Sequence, residues 1–336
     1  MTVLVTGATG FLGSHLTGLL IDRGERPRAL VRPGEDTDGM VAAGADLYRA
    51  DIGDRAALGP ALRGARLVLH CAARTGPWGP EAEYQRVNVD GLATLVRAAL
   101  DAGVQRVVHV SSITVHGNDV HGDADEYSPL RAEPNPYSRS KLAGERLLAH
   151  LIEPEAAPVT VVRPGWVYGP GDSASFGRVA RMVQSRRMIM VGSGANRLPL
   201  IYAQDAAQGI LLAGESSQAA GRTYLLVNDE PVTQAAFLTA IADRLGVPPP
   251  HRRIPYQLAI GLGAVAEGLG KAAHRAQPPP LMRYGLQLLG GDNRFSIARA
   301  RHDLGFSPRV GLAEGVRRSV EWYCSRDALT RAGAPA

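Results

Sequence analysis

Cysteine is nearly absent from this chain of 336 residues, which holds only Cys71 and Cys324. Two such distant thiols give neither a disulfide framework nor a metal-ligand spacing, so a reducing compartment, the cytoplasm, is expected. The nine histidines are scattered, so no metal site is expected either. Aromatic residues make up 5%, and although the net charge is +5 the arginines form no dense run. Nucleic-acid binding therefore has no support, while a mild positive field suits an anionic cofactor. Long hydrophobic runs are missing too. The most apolar stretch, Leu258 to Ala273, is too short and too interrupted by glycine to span a bilayer. It reads as a packed helix of a lid domain, with an interfacial membrane helix as the other reading. No signal peptide is expected, because a strand begins at residue 2.

What is present is ordinary for a globular protein, with 45% hydrophobic and 21% charged residues. The size implies two domains, or one doubly wound domain with a lid. The chain is organised around its first dozen residues. The apolar run Thr2-Val3-Leu4-Val5-Thr6 reads as a buried strand, Gly7-Ala8-Thr9-Gly10-Phe11-Leu12-Gly13 as a turn, and Phe11 to Leu20 as a helix. The glycine spacing G-x-x-G-x-x-G is a relative of the dinucleotide-binding fingerprint. Gly7 permits a sharp turn, Gly10 lets a pyrophosphate approach the backbone, and Gly13 lets the helix lie close to the sheet. The helix N-terminus then offers free N–H groups to the phosphates.

Strand and helix patterns alternate from there. Strands are expected over Arg26–Val31, Asp46–Ala50, Arg66–His70, Val104–Ser111 and Val159–Arg163, with helices over Glu81–Ala102 and Tyr137–His150. This rhythm predicts an α/β fold, a doubly wound parallel sheet covered by helices on both faces. The rhythm breaks after Pro164. A helix near Phe176–Ser185 follows, and Asp205–Leu212 with Thr223–Val227 reads as a late helix and strand rejoining the first sheet. Thr233 is a plausible N-cap for a helix to Leu245, Pro248-Pro249-Pro250 reads as a linker, and Asn293–Ser296 as a short strand. Residues 1–165 plus about 203–228 are thus expected to bind the dinucleotide. Residues 166–202 and 229–325 form a smaller, mostly helical substrate domain, and 326–336 a loose tail.

Three places carry chemistry: Ser111-Ser112 at the carboxyl end of the fifth strand, Tyr137 with Lys141, and Asn88. In open parallel sheets ligands sit beyond those strand ends. Tyr137 and Lys141, four residues apart, share one helical face. Reducing a ketone needs a hydride donor and a proton donor, and a free tyrosine, with a pKa of about 10, holds its proton too tightly. A nearby ammonium and an oxidised nicotinamide favour phenolate, while Ser112 can hold the carbonyl oxygen near the phenol. Lys141 could also bind the nicotinamide ribose.

With these residues, the chain resembles an extended short-chain dehydrogenase/reductase over nearly its whole length. Asp51-Ile52, Cys71-Ala72-Ala73, Asn88-Val89-Asp90-Gly91 and Arg163-Pro164-Gly165-Trp166-Val167-Tyr168-Gly169-Pro170-Gly171 add to the likeness. Within that family it is similar to the branch of 3β-hydroxysteroid dehydrogenases, dihydroflavonol reductases and 3-oxoalkanoate reductases. That similarity rests on Arg74 to Pro80, Val191 to Asn196 and Phe295 to Pro308. The resemblance implies a Rossmann fold and makes Ser112, Tyr137 and Lys141 the catalytic set, with Asn88 in support. It implies cofactor contacts at Gly7, Thr9, Gly10, Phe11, Leu12, Gly13, Arg32, Asp51, Ile52, Ala72, Ala73, Arg74, Tyr137, Lys141, Pro164 and Val167. A homodimer through the helices Glu81–Ala102 and Tyr137–His150 is a family expectation. His116 stands where relatives often carry tyrosine, and Cys71 where asparagine is common.

The second strand ends Leu30-Val31-Arg32-Pro33 with no acid to grip the ribose hydroxyls of NAD, since Glu35 and Asp36 lie beyond the proline. Arginine suits a ribose phosphate, so NADP(H) is favoured over NAD(H). Arg74, Trp78, Thr114, His116, Trp166, Phe176 and Tyr202 are the candidate substrate residues. Many are apolar or aromatic, which points to a ring system or acyl chain; Arg74 could meet a carboxylate or phosphate. The expected activity is an NAD(P)-dependent ketoreductase or secondary-alcohol dehydrogenase. The rival within the family is a nucleotide-sugar 4-epimerase or dehydratase that retains its cofactor, although Ile113-Thr114 lacks the acid pair a dehydratase uses. A non-catalytic dinucleotide-binding regulator would have no need of the proton relay.

Overall fold

The computed structural model describes residues 2–120, 122–155 and 158–332, with side chains described for these except 152–155 and 326–332. Strand β1 (Val3–Thr6) passes through the glycine turn into helix α1 (Phe11–Asp22). Then follow β2 (Arg28–Val31), α2 (Asp38–Ala42), β3 (Asp46–Arg49), α3 (Arg55–Leu62), β4 (Leu67–His70), α4 (Glu81–Tyr84), α5 (Gly91–Asp101) and β5 (Arg106–Val110). Helix α6 (Pro136–Glu155) and β6 (Val159–Pro164) complete the alternating half. Next come β7 (Trp166–Tyr168), α7 (Phe176–Gln184), β8 (Met190–Val191), β9 (Leu200–Tyr202), α8 (Ala203–Glu215) and β10 (Thr223–Leu226). Helix α9 (Gln234–Leu245) and β11 (Arg253–Ile254) lead to a helical end, α10 (Tyr256–Ala272), α11 (Arg283–Gly290), α12 (Ala298–Leu304) and α13 (Leu312–Ala332).

The main sheet has seven parallel strands in the order β10-β6-β5-β4-β1-β2-β3. The strand order reverses between β1 and β4, and the crevice beyond that switch point is where such sheets bind ligands. The inner strands β1 and β4 are buried along their whole length because both faces are covered, whereas the edge strand β3 is half-exposed and ends in charged residues. Val3, Val5, Leu67 and Leu69 face the core under α1 and α8, with Leu16, Leu20, Ile210 and Leu211. Leu4, Val68 and Val107 face the opposite core with Leu58, Leu92, Leu95 and Leu148. A third cluster, built on Tyr168, Phe176, Tyr202, Phe237 and Val316, holds the later segments together. The late strand β10 does rejoin the main sheet, beside β6.

Thr233 caps α9, its hydroxyl accepting from Ala236 N at 3.1 Å, and Gly246 closes the helix at φ 66°. Other boundaries differ from expectation. The single helix expected over Glu81–Ala102 is broken by a π turn at Gln85–Asp90. Two close approaches flank the break: a Cβ on Gly91 would lie 2.6 Å from Ile52, and one on Gly144 would lie 3.2 Å from the Asn88 carbonyl. The wider turn lets the polypeptide satisfy both while aiming the Asn88 amide inward. Asn293–Ser296 forms no strand; it contributes one bridge, Ala124 to Phe295, while Asn293 N donates instead to Arg197 O at 3.1 Å. The proline linker delivers β11 to a parallel pairing with β8. Helix α13 continues to Ala332, so the expected tail begins helical, and 333–336 lie outside the described residues.

Candidate active site

The glycine turn is tight for steric reasons. Gly7 has φ +65°, and a Cβ there would sit 2.7 Å from the Ala72 backbone; one on Gly13 would sit 2.1 Å from the Gly7 carbonyl. Gly10 N donates to Gly7 O at 2.9 Å, closing the turn. No side chain caps α1, so its first N–H groups are left to a ligand, which fits a pyrophosphate. Leu12 packs on the core, and Phe11 stands edge-on to His15, so these two can meet a cofactor chiefly through their backbone. Ala72 N donates to Thr6 Oγ1 at 3.3 Å, tying the loop after β4 to β1.

At the end of β2 the fold alters the premise of the cofactor argument. The turn Pro33-Gly34 brings Glu35 back to the glycine loop, where Thr9 Oγ1 donates to its carboxylate at 2.7 Å. Arg32 clasps the same carboxylate through Nε at 2.8 Å and Nη2 at 2.7 Å. These donors hold the Glu35 carboxyl below its usual range against the opposing effect of burial. The acid that spacing placed beyond reach is therefore present, bound to the arginine. Asp51 accepts from Gly53 N and from Arg86, and Ile52 is buried against Gly91.

Helix α6 carries the expected proton donor. Its start is set by Asn135, whose Oδ1 accepts from Ser138 N at 2.9 Å, followed by Pro136 in the first turn. The Tyr137 phenol stands beside the Ser112 side chain, which caps the short turn Ile113–His116 after β5 and accepts from Thr114 N at 3.3 Å. Lys141, one helical turn on, is buried; Nζ donates to Val110 O at 2.8 Å and lies 5.9 Å from the Tyr137 ring centroid. Burial pulls its pKa down to about 8, against the pull of Cys71 and Glu145. Cys71 is pushed up to about 12 by burial, and His70 held down at about 3, so neither thiolate nor imidazolium forms beside the ammonium. The Tyr137 phenol is pushed up by burial, with the neighbouring Ser112 side chain opposing. The expected lowering is thus not achieved by the lysine alone.

Asn88 reads the backbone of Arg74 with both ends of its amide. Oδ1 accepts from Arg74 N at 2.7 Å, and Nδ2 donates to Arg74 O at 3.0 Å and to Ser140 Oγ at 2.8 Å. It couples the loop after β4 to the helix bearing Tyr137 and Lys141. Beneath lies a network that sequence reasoning missed. Glu145 and Arg163 pair at 2.6 Å with side chains 7% and 5% exposed. Ser111 Oγ donates to Glu145, and Arg163 Nη1 donates to His116 Nε2 at 3.0 Å and to Glu126 O at 3.2 Å. The spacing of Glu145 four residues after Lys141 was the available signal, since both share the inner face of α6.

The candidate substrate residues disperse. His116 is not aimed at a substrate: Arg163 occupies its Nε2, Phe295 packs on it, and burial beside that guanidinium holds it down at about 4, hence neutral. Phe176 and Tyr202 are 0% and 1% exposed within the third cluster and present no surface to a ligand. Trp166 packs edge-on against Phe237, and Thr114 is buried behind Ser112. Arg74 pairs with Glu83 at 3.2 Å over the ring of Tyr84. Trp78 donates through Nε1 to Arg275 O at 3.0 Å. Pro164 ends β6 of the main sheet, and Val167 lies in β7, which pairs with β9 in a separate two-stranded sheet. Two tyrosines were overlooked. Tyr84 donates to Gly76 O at 2.7 Å and pins the loop before α4. Tyr284 of α11 stands edge-on to Tyr137 with centroids 6.5 Å apart; nothing local in the sequence marks it.

A doubly wound sheet with serine, tyrosine and lysine gathered at its carboxyl edge defines a nicotinamide-dependent oxidoreductase of the extended short-chain dehydrogenase/reductase class. The family model described as NAD dependent epimerase/dehydratase family matches residues 3–226, and the chain belongs to that family. It is 31% identical over 326 residues to a 2-alkyl-3-oxoalkanoate reductase of Stenotrophomonas maltophilia, covering 95% of this chain and 98% of that one. It is also 31% identical to the 4-hydroxy-2-methyl-3-oxo-4-farnesyl-3,4-dihydroquinoline-1-oxide ketoreductase of Stigmatella aurantiaca, covering 99% and 97%. Among solved structures, MoeE5 in complex with UDP-glucose and NAD superposes with a TM-score of 0.74 at 26% identity, covering 98% of this chain and all, 100%, of that one.

Proposed function

We propose that this NAD-dependent oxidoreductase is a ketoreductase or secondary-alcohol dehydrogenase acting on a hydrophobic or ring-containing ketone, with Tyr137 as the acid/base. The observation that carries the reading is the placement of the Ser112 side chain beside the Tyr137 phenol, one helical turn from the Lys141 ammonium. When bound, the nicotinamide nucleotide exchanges a hydride with the carbonyl carbon and, oxidised, adds positive charge beside the phenol. Ser112 holds the carbonyl oxygen against the phenol, so that Tyr137 delivers or takes its proton over one hydrogen bond. Lys141 stabilises the phenolate left behind, offsetting the burial that otherwise raises it. Asn88 and Ser140 keep the two side chains in register. Residues 1–165 with about 203–228 hold the cofactor, the remainder contributes the substrate wall, and α5 with α6 forms a homodimer seam. A cytoplasmic location goes with the two reduced thiols, Cys71 and Cys324.

For the cofactor, Arg32 supports NADP(H), but Glu35 already neutralises it, so the margin over NAD(H) is modest. The alternative reading, a nucleotide-sugar 4-epimerase, draws support from the family description and from the UDP-glucose complex of MoeE5. Consumption of NADPH with steroids, 3-oxo acids, aromatic ketones and sugar nucleotides tests the choice. Turnover of a sugar nucleotide without added cofactor overturns the ketoreductase reading. Tyr137→Phe should abolish turnover and spare cofactor binding; surviving turnover overturns the assigned acid.

A further inference from the structure

Helix α10 is amphipathic the wrong way round. Its buried positions are Ala259, Gly263, Glu267 and Gly270. Leu258, Leu262, Val265 and Leu269 point outward instead, 54%, 45%, 60% and 67% exposed. A helix bathed in water turns its leucines in and its carboxylate out. Packing forbids a corrective roll. Glu267 accepts from Arg283 N at 2.7 Å and pairs with that guanidinium at 2.9 Å. A Cβ on Gly263 would come within 2.9 Å of Leu286, and one on Gly270 within 3.1 Å of Trp78. The spacing of the outward side chains makes one continuous stripe, which Leu281, 44% exposed, prolongs toward α11.

The chemistry around the stripe identifies what covers it. His251, Arg252 and Arg253 precede the helix, and Lys271, His274 and Arg275 end or follow it, all exposed. Between residues 250 and 291 the one carboxylate is Glu267, and it is buried. A second copy seated on the stripe would set these cationic ends against each other, which opposes pairing. An apolar strip bracketed by cations, with no exposed acid in its own segment, complements an anionic bilayer surface. Among the described residues no helix is long and apolar enough to cross a membrane. We infer that α10 is a docking helix that lies in the interface of an anionic membrane, leucines in the acyl boundary and cations among the headgroups. The docked face adjoins the site, since Arg275 O accepts from Trp78 and α11 brings Tyr284 against Tyr137. A lipid-soluble ketone would thus enter from the seated side; this last step rests on the ketoreductase reading, whereas the docking does not.

Co-sedimentation of the full chain with vesicles, read without substrate, tests it independently of turnover. Binding to phosphatidylcholine vesicles containing phosphatidylserine is expected, weaker on phosphatidylcholine alone and falling with salt. The double variant Leu262→Glu/Leu269→Glu should lose about tenfold or more in vesicle affinity, with its unfolding temperature and cofactor binding unchanged. Three results overturn the proposal: no binding to the anionic vesicles, equal binding by the variant, or a wild-type dimer that the variant dissolves in the absence of lipid.

Discussion

Removing Arg163 from its partner Glu145 should cost the protein far more than removing both. The two side chains are 5% and 7% exposed, so neither charge is stabilised by water. In Arg163→Met the Glu145 carboxylate keeps only the Ser111 hydroxyl as hydrogen-bond donor and the pull of the Lys141 ammonium as its electrostatic support, and breaking a buried pair on one side costs about 3–5 kcal/mol. Unfolding entropy for a chain this long is roughly 0.7 kcal/mol per kelvin, so the melting temperature should fall by about 4–7 °C. Glu145→Leu strands the guanidinium, whose remaining acceptors are His116 Nε2 and the Glu126 carbonyl, and should cost a similar amount. The double variant removes both charges of the pair, leaving a few weakened hydrogen bonds and the Lys141 ammonium without the pull of Glu145, and should lose about 2 kcal/mol or less. Denaturant unfolding of the four proteins closes the cycle. Because Glu145 shares α6 with Tyr137 and Lys141, the single variants should also lower kcat. Single-variant losses under about 1 kcal/mol, or a double variant costing the sum of the singles, would refute the argument.

Lys141→Met should stabilise the cofactor-free protein at neutral pH while abolishing turnover. Burial holds the Lys141 pKa at about 8, below the unfolded 10.5, so the folded protein carries a costly ammonium below pH 8. Between those two values it sheds its proton before the unfolded chain does, and stability rises with pH. The gain, about 3 kcal/mol at pH 7 on the scale of about 1.4 kcal/mol per pKa unit, should fade toward the upper value in unfolding curves taken across pH. Gly13→Ala drives a methyl to 2.1 Å from the Gly7 carbonyl and should lower both cofactor affinity by calorimetry and the melting temperature. Glu35→Gln removes a carboxylate from beside Arg32 and should raise the kcat/KM preference for NADPH over NADH by about two- to fivefold, roughly the 0.5–1 kcal/mol of one exposed charge contact. Arg32→Ala should shift the preference the other way; no change in either variant removes this pair from cofactor selection.

Much of the architecture was legible in the chain because its signals are local. The glycine turn after Thr6, the double-sided apolar strands, the Thr233 cap and the Tyr137–Lys141 spacing each depend on a few neighbouring residues and on backbone sterics. The same locality explains the misreadings. Glu35 looked remote from the cofactor because a proline stood between it and β2, yet a glycine at φ +84° in position 34 folds it back onto Thr9. The stretch from Glu81 reads as one helix by periodicity, and only its contacts with Ile52 and α6 demand the π turn that aims Asn88.

The sequence by itself determined the class of sheet, the order of its helices and strands, and the polar residues gathered at its carboxyl edge, since periodicity and turn chemistry are written in adjacent residues. Tertiary structure alone decided that Arg163 takes His116 and Glu145 for itself, that Phe176 and Tyr202 are core, that Tyr284 joins Tyr137, and that α10 turns its leucines outward. Each of those outcomes is a competition between partners far apart in the chain for the same buried space or the same hydrogen bond, and only packing resolves which partner wins.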